Sequence, residues 1–325
     1  MPERWGVTLP LTGVTLPDQR DLVAALPTWG YTDIWSMEAD GTDAFTPLAA
    51  FAGWAPDLRL GTAVVPVFTR GPGLIAMSAA ALSELAPGRF VLGLGASSPA
   101  VVQAWNAIEF DRPVERTRDV VDLVRRALAG ERVTADLATL SVQGLRLARP
   151  PATPPPIMIA ALRPRMLALA GEIADGVILN WLAAGDVGRC RAAVGNPDTE
   201  VVARIFVCPT DDADAARAVG RRMIAGYLTV PAYAAFHRWL GRGEKLAGMW
   251  RAWADGDRRG ALAALADDTV DELVIHGSPA RCREQVRAYV AAGVHTPVIA
   301  LVPTPEMTDP ATVADLVRQL GPNGG

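Results

Sequence analysis

Three short runs carry the residue types that could do chemistry, and each sits where an extended stretch gives way to a turn. The first, Trp35-Ser36-Met37-Glu38-Ala39-Asp40-Gly41-Thr42-Asp43, brings three carboxylates together. Asp43 suits a helix N-cap, where an acidic side chain also meets the favourable end of the helix dipole. Glu38 lies closer to the strand end, and its type and place suit proton transfer, with Asp40 as the second candidate. The second run is Gly93-Leu94-Gly95-Ala96-Ser97-Ser98-Pro99. A dinucleotide fingerprint needs Gly or Ala where Ser98 stands, and a nucleophile elbow needs Gly where Pro99 stands, so both readings fail. What remains is either a plain tight turn or a strand end whose small residues, Gly95, Ser97 and Ser98, let a flat ligand approach the backbone. Pro99 would then open a helix whose first amides face an anion. The third run is Ala160-Ala161-Leu162-Arg163-Pro164-Arg165-Met166. Pro164 suits a first helical turn, so the amides of Leu162, Arg163, Arg165 and Met166 are expected to be unpaired and to form a phosphate cradle. The ordinary alternative is a solvated loop with two surface arginines.

Such loops need a scaffold, and the bulk of the chain supplies one. Its 325 residues are 50% hydrophobic, enough for a large core, and no apolar run reaches the ~18 residues of a membrane span. The net charge of -4 argues against a nucleic-acid partner, which calls for a concentrated basic face. Cys190, Cys208 and Cys282 are widely separated and odd in number, which fits a reducing compartment and no disulfide framework. His237, His276 and His295 have no metal-ligand spacing, so no protein-bound metal is expected. Met1-Pro2-Glu3-Arg4-Trp5 lacks the basic-then-apolar layout of a signal peptide. The expectation is a cytoplasmic homodimer acting on a small molecule, without a membrane or nucleic-acid partner.

Short β-branched runs alternate with longer amphipathic stretches along the chain, the pattern of a parallel α/β fold. Eight strands are expected: Trp5–Leu9, Thr32–Ser36, Arg59–Val65, Phe90–Gly95, Pro156–Ala161, Gly176–Asn180, Val201–Val207 and Pro297–Val302. Several are apolar throughout, as strands covered on both faces are. The expected fold is α/β, a single (β/α)8 TIM barrel domain over residues 1–325. A hairpin excursion after strand 4, Gly130–Pro155, and a helical insertion before strand 8, Gly220–Asp268, interrupt the alternation. Arg112, Arg116 and Arg118 read as solvated helix residues paired with Glu115 and Asp119. In a barrel of this kind the residues at the strand C-terminal ends carry the function.

The chain resembles the luciferase-like oxidoreductase superfamily, in the branch that uses coenzyme F420, a 5-deazaflavin. Four segments carry the resemblance, in the family's order: Trp35-Ser36-x-Glu38 with Asp43-Ala44-Phe45-Thr46-Pro47-Leu48, then Arg59–Pro66, then Gly88–Pro99, then Ala170-Gly171-Glu172-x-Ala174-Asp175-Gly176-Val177. The resemblance implies a non-proline cis peptide at Ala63–Val64 backing the deazaflavin ring, an acid beside the ring at Glu38, and cofactor phosphate at Leu162–Met166. Alcohol and sugar-phosphate dehydrogenases of the branch follow that acid with a histidine, where this chain has Ala39. Their acid and amide after the fourth strand are Ser98 and Val101 here. The resemblance thus implies an F420-dependent oxidoreductase transferring a hydride to a small organic substrate, with reduction of an activated C=C or C=N bond favoured over alcohol oxidation. An FMN-dependent monooxygenase on the same barrel is the alternative, and a barrel that binds without catalysis is the third reading.

Overall fold

The computed structural model describes residues 4–307 and 309–324, so Met1, Pro2 and Glu3 of the N-terminal run lie outside the described residues. Eight parallel strands follow one another around a closed sheet: β1 Gly6–Thr8, β2 Asp33–Ser36, β3 Arg59–Thr62, β4 Phe90–Gly95, β5 Ile157–Ala160, β6 Gly176–Asn180, β7 Glu200–Cys208 and β8 Thr296–Leu301. β8 pairs with β1 through Gly6↔Val298, which completes the (β/α)8 barrel expected from the sequence. Between and after the strands come the helices α1 Arg20–Ala25, α2 Phe45–Trp54, α3 Pro72–Leu85, α4 Pro113–Leu128, α5 Pro164–Ile173, α6 Val187–Val194 and α7 Ala213–Leu228. They continue with α8 Pro231–Trp239, α9 Gly243–Ala254, α10 Arg258–Ala263, α11 Asp267–Leu273, α12 Pro279–Ala291 and α13 Pro310–Leu320. Six of them begin on proline, whose fixed φ and missing N–H suit the first helical position. No described helix is long and apolar enough to cross a membrane.

The barrel interior is built in layers. At the N-terminal end, Arg59 is an ionic plug: it pairs with Asp33, donates to both oxygens of Glu200 at 3.0 and 2.8 Å, and reaches Thr296 Oγ1 at 2.9 Å. Above it lies an apolar layer of Trp35, Val91, Met158, Ile178, Val202 and Val298. Trp35 fits only because its neighbours are glycines, since a Cβ at Gly61 would stand 2.3 Å from the indole.

At the C-terminal end β3 does not stop cleanly. It resumes against β4 as Val65–Pro66, and the register moves from Gly61↔Val91 to Val65↔Leu94, one residue more on this side than on β4. That extra residue makes a bulge at Ala63 and Val64. The Thr62 hydroxyl bridges the gap, accepting from Gly93 N–H and donating to Gly93 C=O, both at 2.8 Å.

The excursion is the expected hairpin, Val133–Asp136 against Ser141–Leu145. The insertion starts with α7, which opens at Ala213 rather than Gly220. It also ends in an unexpected strand, Val274–His276, paired in parallel with the upper part of β7. This strand takes the edge of β7 that β6 leaves after Asn180↔Arg204. Three residues following helical α11 carry too little pattern to be read as a strand. The arginines of α4 also differ from expectation. Arg118 pairs with Glu172 of α5, Arg112 donates to the Ala138 carbonyl, and Arg116 donates to the carbonyls of Val67 and Thr139. Arg112 and Arg116 tie the start of the helix to neighbouring loops and Arg118 ties it to α5, while Asp119 accepts from Thr139.

Candidate active site at the barrel mouth

Below the mouth the strand residues are buried. At their C-terminal ends Thr8, Val64, Ser97, Ala160, Asn180 and Arg204 become partly exposed and ring an opening. The Ala63–Val64 peptide is cis, at the bond named from the sequence. The bulge is held from the β2 side, where Ala63 N–H donates to Ser36 C=O at 2.6 Å and Glu38 N–H donates to Val64 C=O at 3.3 Å. Its Val64 side chain leans on Gly95, where a Cβ would meet Val64 Cγ2 at 2.6 Å and Ala160 Cβ at 3.2 Å. Gly95 is therefore small to admit Val64. It is buried and does not offer open backbone to a ligand, which corrects the sequence reading.

Glu38 stands at the mouth, but not as a carboxyl facing an apolar surface alone. Arg70 Nε lies 3.0 Å from each of its oxygens and Arg70 Nη2 lies 2.9 Å from Oε2, which also accepts from Ala44 N–H at 3.3 Å. Each of its oxygens therefore accepts a charge-assisted hydrogen bond. Arg70 in turn lies over the Phe45 ring at 5.2 Å. Asp43 accepts from the amides of Phe45 and Thr46 at 2.9 Å and so caps α2, as expected. Burial pushes the Asp43 carboxyl up, but the bonds from Thr46 and Phe45 and the charge of Arg70 outweigh it and hold the group below its ordinary value. Asp40 is exposed and makes no hydrogen bond within the site among the described residues.

After β4 the chain turns through Ser97, whose φ of 64° is left-handed. Ser98 accepts from Val101 N–H through its hydroxyl and from Val102 N–H through its carbonyl. The helix expected after Pro99 is only a single π-helical turn, Ala100–Trp105.

After β5, Arg163 is extended and exposed, and α5 begins at Pro164 as expected. The amides of Met166 and Leu167 both turn back to the Arg163 carbonyl, so Met166 is not free. Pro164 has no N–H. Leu162, Arg163 and Arg165 therefore supply the amides with no partner in the described chain. Arg165 is 77% exposed and pairs with Glu115 at 3.0 Å, which leaves its side chain little part in the opening.

The mouth residue that the sequence reading passed over is Arg204, which interrupts the apolar run Val201–Val207 and shares the inward parity of Val202. Its Nε donates to Thr8 Oγ1 at 3.3 Å and its guanidinium lies 4.8 Å from the Phe206 ring. Burial pulls the guanidinium below its usual value, with the phenols of Tyr227 and Tyr233 working the other way. Asn180 Nδ2 donates to Tyr233 Oη at 2.9 Å, while Asn180 Oδ1 is buried with no partner. Burial pushes the Tyr233 phenol up to about 12, so it stays protonated at neutral pH. Trp181, at φ 54°, stacks on Phe206 with centroids 4.0 Å apart and floors this corner.

None of the three histidines serves the opening. Burial lowers His237 to about 3, so it is neutral in α8; His276 Nε2 lies 2.9 Å from Asp271; and His295 Nδ1 accepts from Val201 N–H at the lower end. Among the described residues no cluster of side chains could hold a metal ion. A concavity of about 320 Å³ bounded by Arg191, Asn196 and Val201 lies on the lower face and holds nothing that points to chemistry.

The luciferase-like monooxygenase family model matches residues 4–296. A putative coenzyme F420-dependent oxidoreductase of Mycobacterium tuberculosis is 32% identical over 95% of this chain and 98% of its own length. The 5,10-methylenetetrahydromethanopterin reductase of Methanolobus tindarius is 28% identical over 83% of this chain and 86% of its own. In solved structures, the coenzyme F420-dependent tetrahydromethanopterin reductase of Methanopyrus kandleri superposes with a TM-score of 0.77 at 20% identity, covering 98% of both chains. By its match along nine-tenths of its length, on a barrel with this mouth, the chain belongs to the luciferase-like monooxygenase family.

Proposed function

We propose that this protein is a coenzyme F420-dependent oxidoreductase that reduces an activated C=C or C=N bond of a small organic substrate. The observation that carries the reading is the likeness to the putative F420-dependent oxidoreductase along almost the whole of both chains. The mouth fits such a cofactor. The small side chains of Ala63, Val64 and Ala160 leave room for a flat ring, and the partnerless amides of Leu162, Arg163 and Arg165 suit its phosphate. When bound, the deazaflavin supplies two-electron hydride chemistry. The protein's work is to hold ring and substrate in near-attack geometry, to exclude water and to place the proton. Glu38 belongs to the ring side, where it and Arg70 fix the bulge. The absence of a histidine at the opening, with Ala39 in the family's usual place, favours a reductase over an alcohol dehydrogenase.

The cofactor is tested by fluorescence titration. F420 should bind at least about ten-fold more tightly than FMN, a difference of ~1.4 kcal/mol. Equal or tighter FMN binding would promote the monooxygenase reading instead.

The cradle after β5 is tested separately. Arg163→Ala and Arg165→Ala should each change F420 affinity by no more than about three-fold, because charge at an open mouth is screened. Leu162→Pro removes an amide donor and should cost about ten-fold, the scale of a hydrogen bond to a charged group. Unchanged affinity in Leu162→Pro, in a protein whose melting temperature is preserved, would place the phosphate elsewhere.

A further inference from the structure

We propose that Arg204 is the substrate's anchor and that it selects a small organic acid, gripping its carboxylate at the β6–β7 corner of the mouth. The identification of the corner as a substrate subsite rests on the reading of the mouth as the active site.

Three other arginines of this chain have side chains that are largely covered. Arg59 is held by Asp33 and Glu200, Arg242 by Asp186 and Glu272, and Arg70 by Glu38 with Asp43 nearby. Arg204 sits inside the barrel with no carboxylate among the described residues, only the hydroxyl of Thr8 and the two phenols. A guanidinium only partly open to water and without a counter-charge carries a desolvation cost, and an arriving anion offsets that cost. The guanidinium fork matches a planar carboxylate through two parallel N–H donors.

The surroundings narrow the ligand further. Trp181 and Phe206 form a closed aromatic floor, while Tyr227 and Tyr233 stay partly open and offer ring surface to an apolar body. Among the described residues no second arginine or lysine acts on Arg204, which suits a single negative charge better than a phosphate dianion. The partnerless Asn180 Oδ1 adds one acceptor for an O–H or N–H on the same ligand. An acid bearing an apolar or unsaturated body fulfils the first two features, and one that also carries an O–H or N–H group fulfils all three.

The test uses the cofactor-loaded protein and three probes, benzoate, benzamide and inorganic phosphate, followed by quenching of tryptophan fluorescence. Benzoate should bind at least about ten-fold more tightly than benzamide, a margin of ~1.4 kcal/mol, and phosphate more weakly than benzoate. Arg204→Gln should abolish the benzoate preference while F420 affinity changes by no more than about two-fold, since a two-fold change is well under 1 kcal/mol. Thr8→Val, which removes only the hydroxyl beside Nε, should weaken benzoate about three- to ten-fold and leave benzamide alone, as expected for one hydrogen bond. Three results would overturn the proposal: an equal response to benzoate and benzamide, including none to either; tighter phosphate than benzoate; or a preference that survives Arg204→Gln. A variant that loses F420 but keeps its benzoate preference would give Arg204 to the cofactor and sink the proposal as well. If the F420 reading itself fails, the same titrations on the protein without cofactor still report whether the corner selects carboxylates.

Discussion

Arg59→Met should destabilise the fold by about 3–5 kcal/mol at neutral pH, the usual cost of removing one partner from a buried ion pair. Arg59 lies at the lower end of the barrel against Asp33, which is fully buried, and Glu200, which is largely so. Methionine fills much of the volume, so the loss measures charge more than cavity. The pH dependence distinguishes the two. In the native protein burial pushes the Glu200 carboxyl up, but the hydrogen bond and charge of Arg59 outweigh it and hold it below its ordinary value. A depressed carboxylate contributes stability that is present above the unfolded range, near ~4.3, and is lost as pH falls through the folded value. Without Arg59 the sign reverses. The burial of Glu200 then opposes its ionisation without Arg59 to offset it, so the penalty is full at neutral pH and shrinks on acidification. Urea unfolding of both proteins at neutral pH and near pH 4 should show the gap narrowing. A gap that does not change with pH would assign the loss to packing, since the guanidinium also lies 5.5 Å from the Trp35 ring. Arg59→Lys, which keeps the charge but not the fork reaching Glu200, should fall between.

That plug illustrates what the sequence leaves hidden. The eight strands were legible because each is a short apolar run bounded by turn residues, and the helices because proline marks so many of their starts. Asp33, Arg59 and Glu200 are each unremarkable first residues of strands, and only closure of the barrel brings them together. Pairs of that kind follow from topology, not from local spacing. The same holds at the mouth. Glu38 was visible as a strand-end acid, yet its partner Arg70 lies 32 residues further on, beyond β3. Arg204 was in plain view inside Val201–Val207, but an arginine within an apolar run reads as a strand-edge charge until the inward parity of β7 is known. The bulge at Ala63–Val64 was named by family likeness, because alanine and valine carry no local signal for it. The π-helical turn after Pro99 had none either, since proline starts any helix type equally well.

Glu38→Gln should lower kcat/KM by about 100-fold, and Arg70→Met should lower it by about the same amount, the scale expected when reacting groups are displaced by ~1 Å. Glu38 joins three parts of the mouth: its N–H holds the Val64 carbonyl, one oxygen takes the Ala44 amide of the loop entering α2, and both oxygens engage Arg70. Glutamine keeps one acceptor but loses the charge, and Arg70, itself largely buried, is left with only Asp43 at 3.6 Å. The backbone bonds from Ala63 to Ser36 and from residue 38 to Val64 would remain, but the side-chain clamp that ties residue 38 to Arg70 and to the Ala44 amide would be weakened. If Glu38 acts through this clamp, the two substitutions break one unit, and the double variant should be no worse than either single one. A direct role as proton donor gives a different pattern. Glu38→Gln would then fall by ~10²–10⁴-fold while Arg70→Met stayed active. F420 affinity separates the cases again: a disturbed bulge weakens binding and turnover together, whereas a missing proton donor leaves binding intact. Non-additive losses in the double variant, with F420 affinity reduced in all three proteins, are the result the Arg70 contacts lead us to expect.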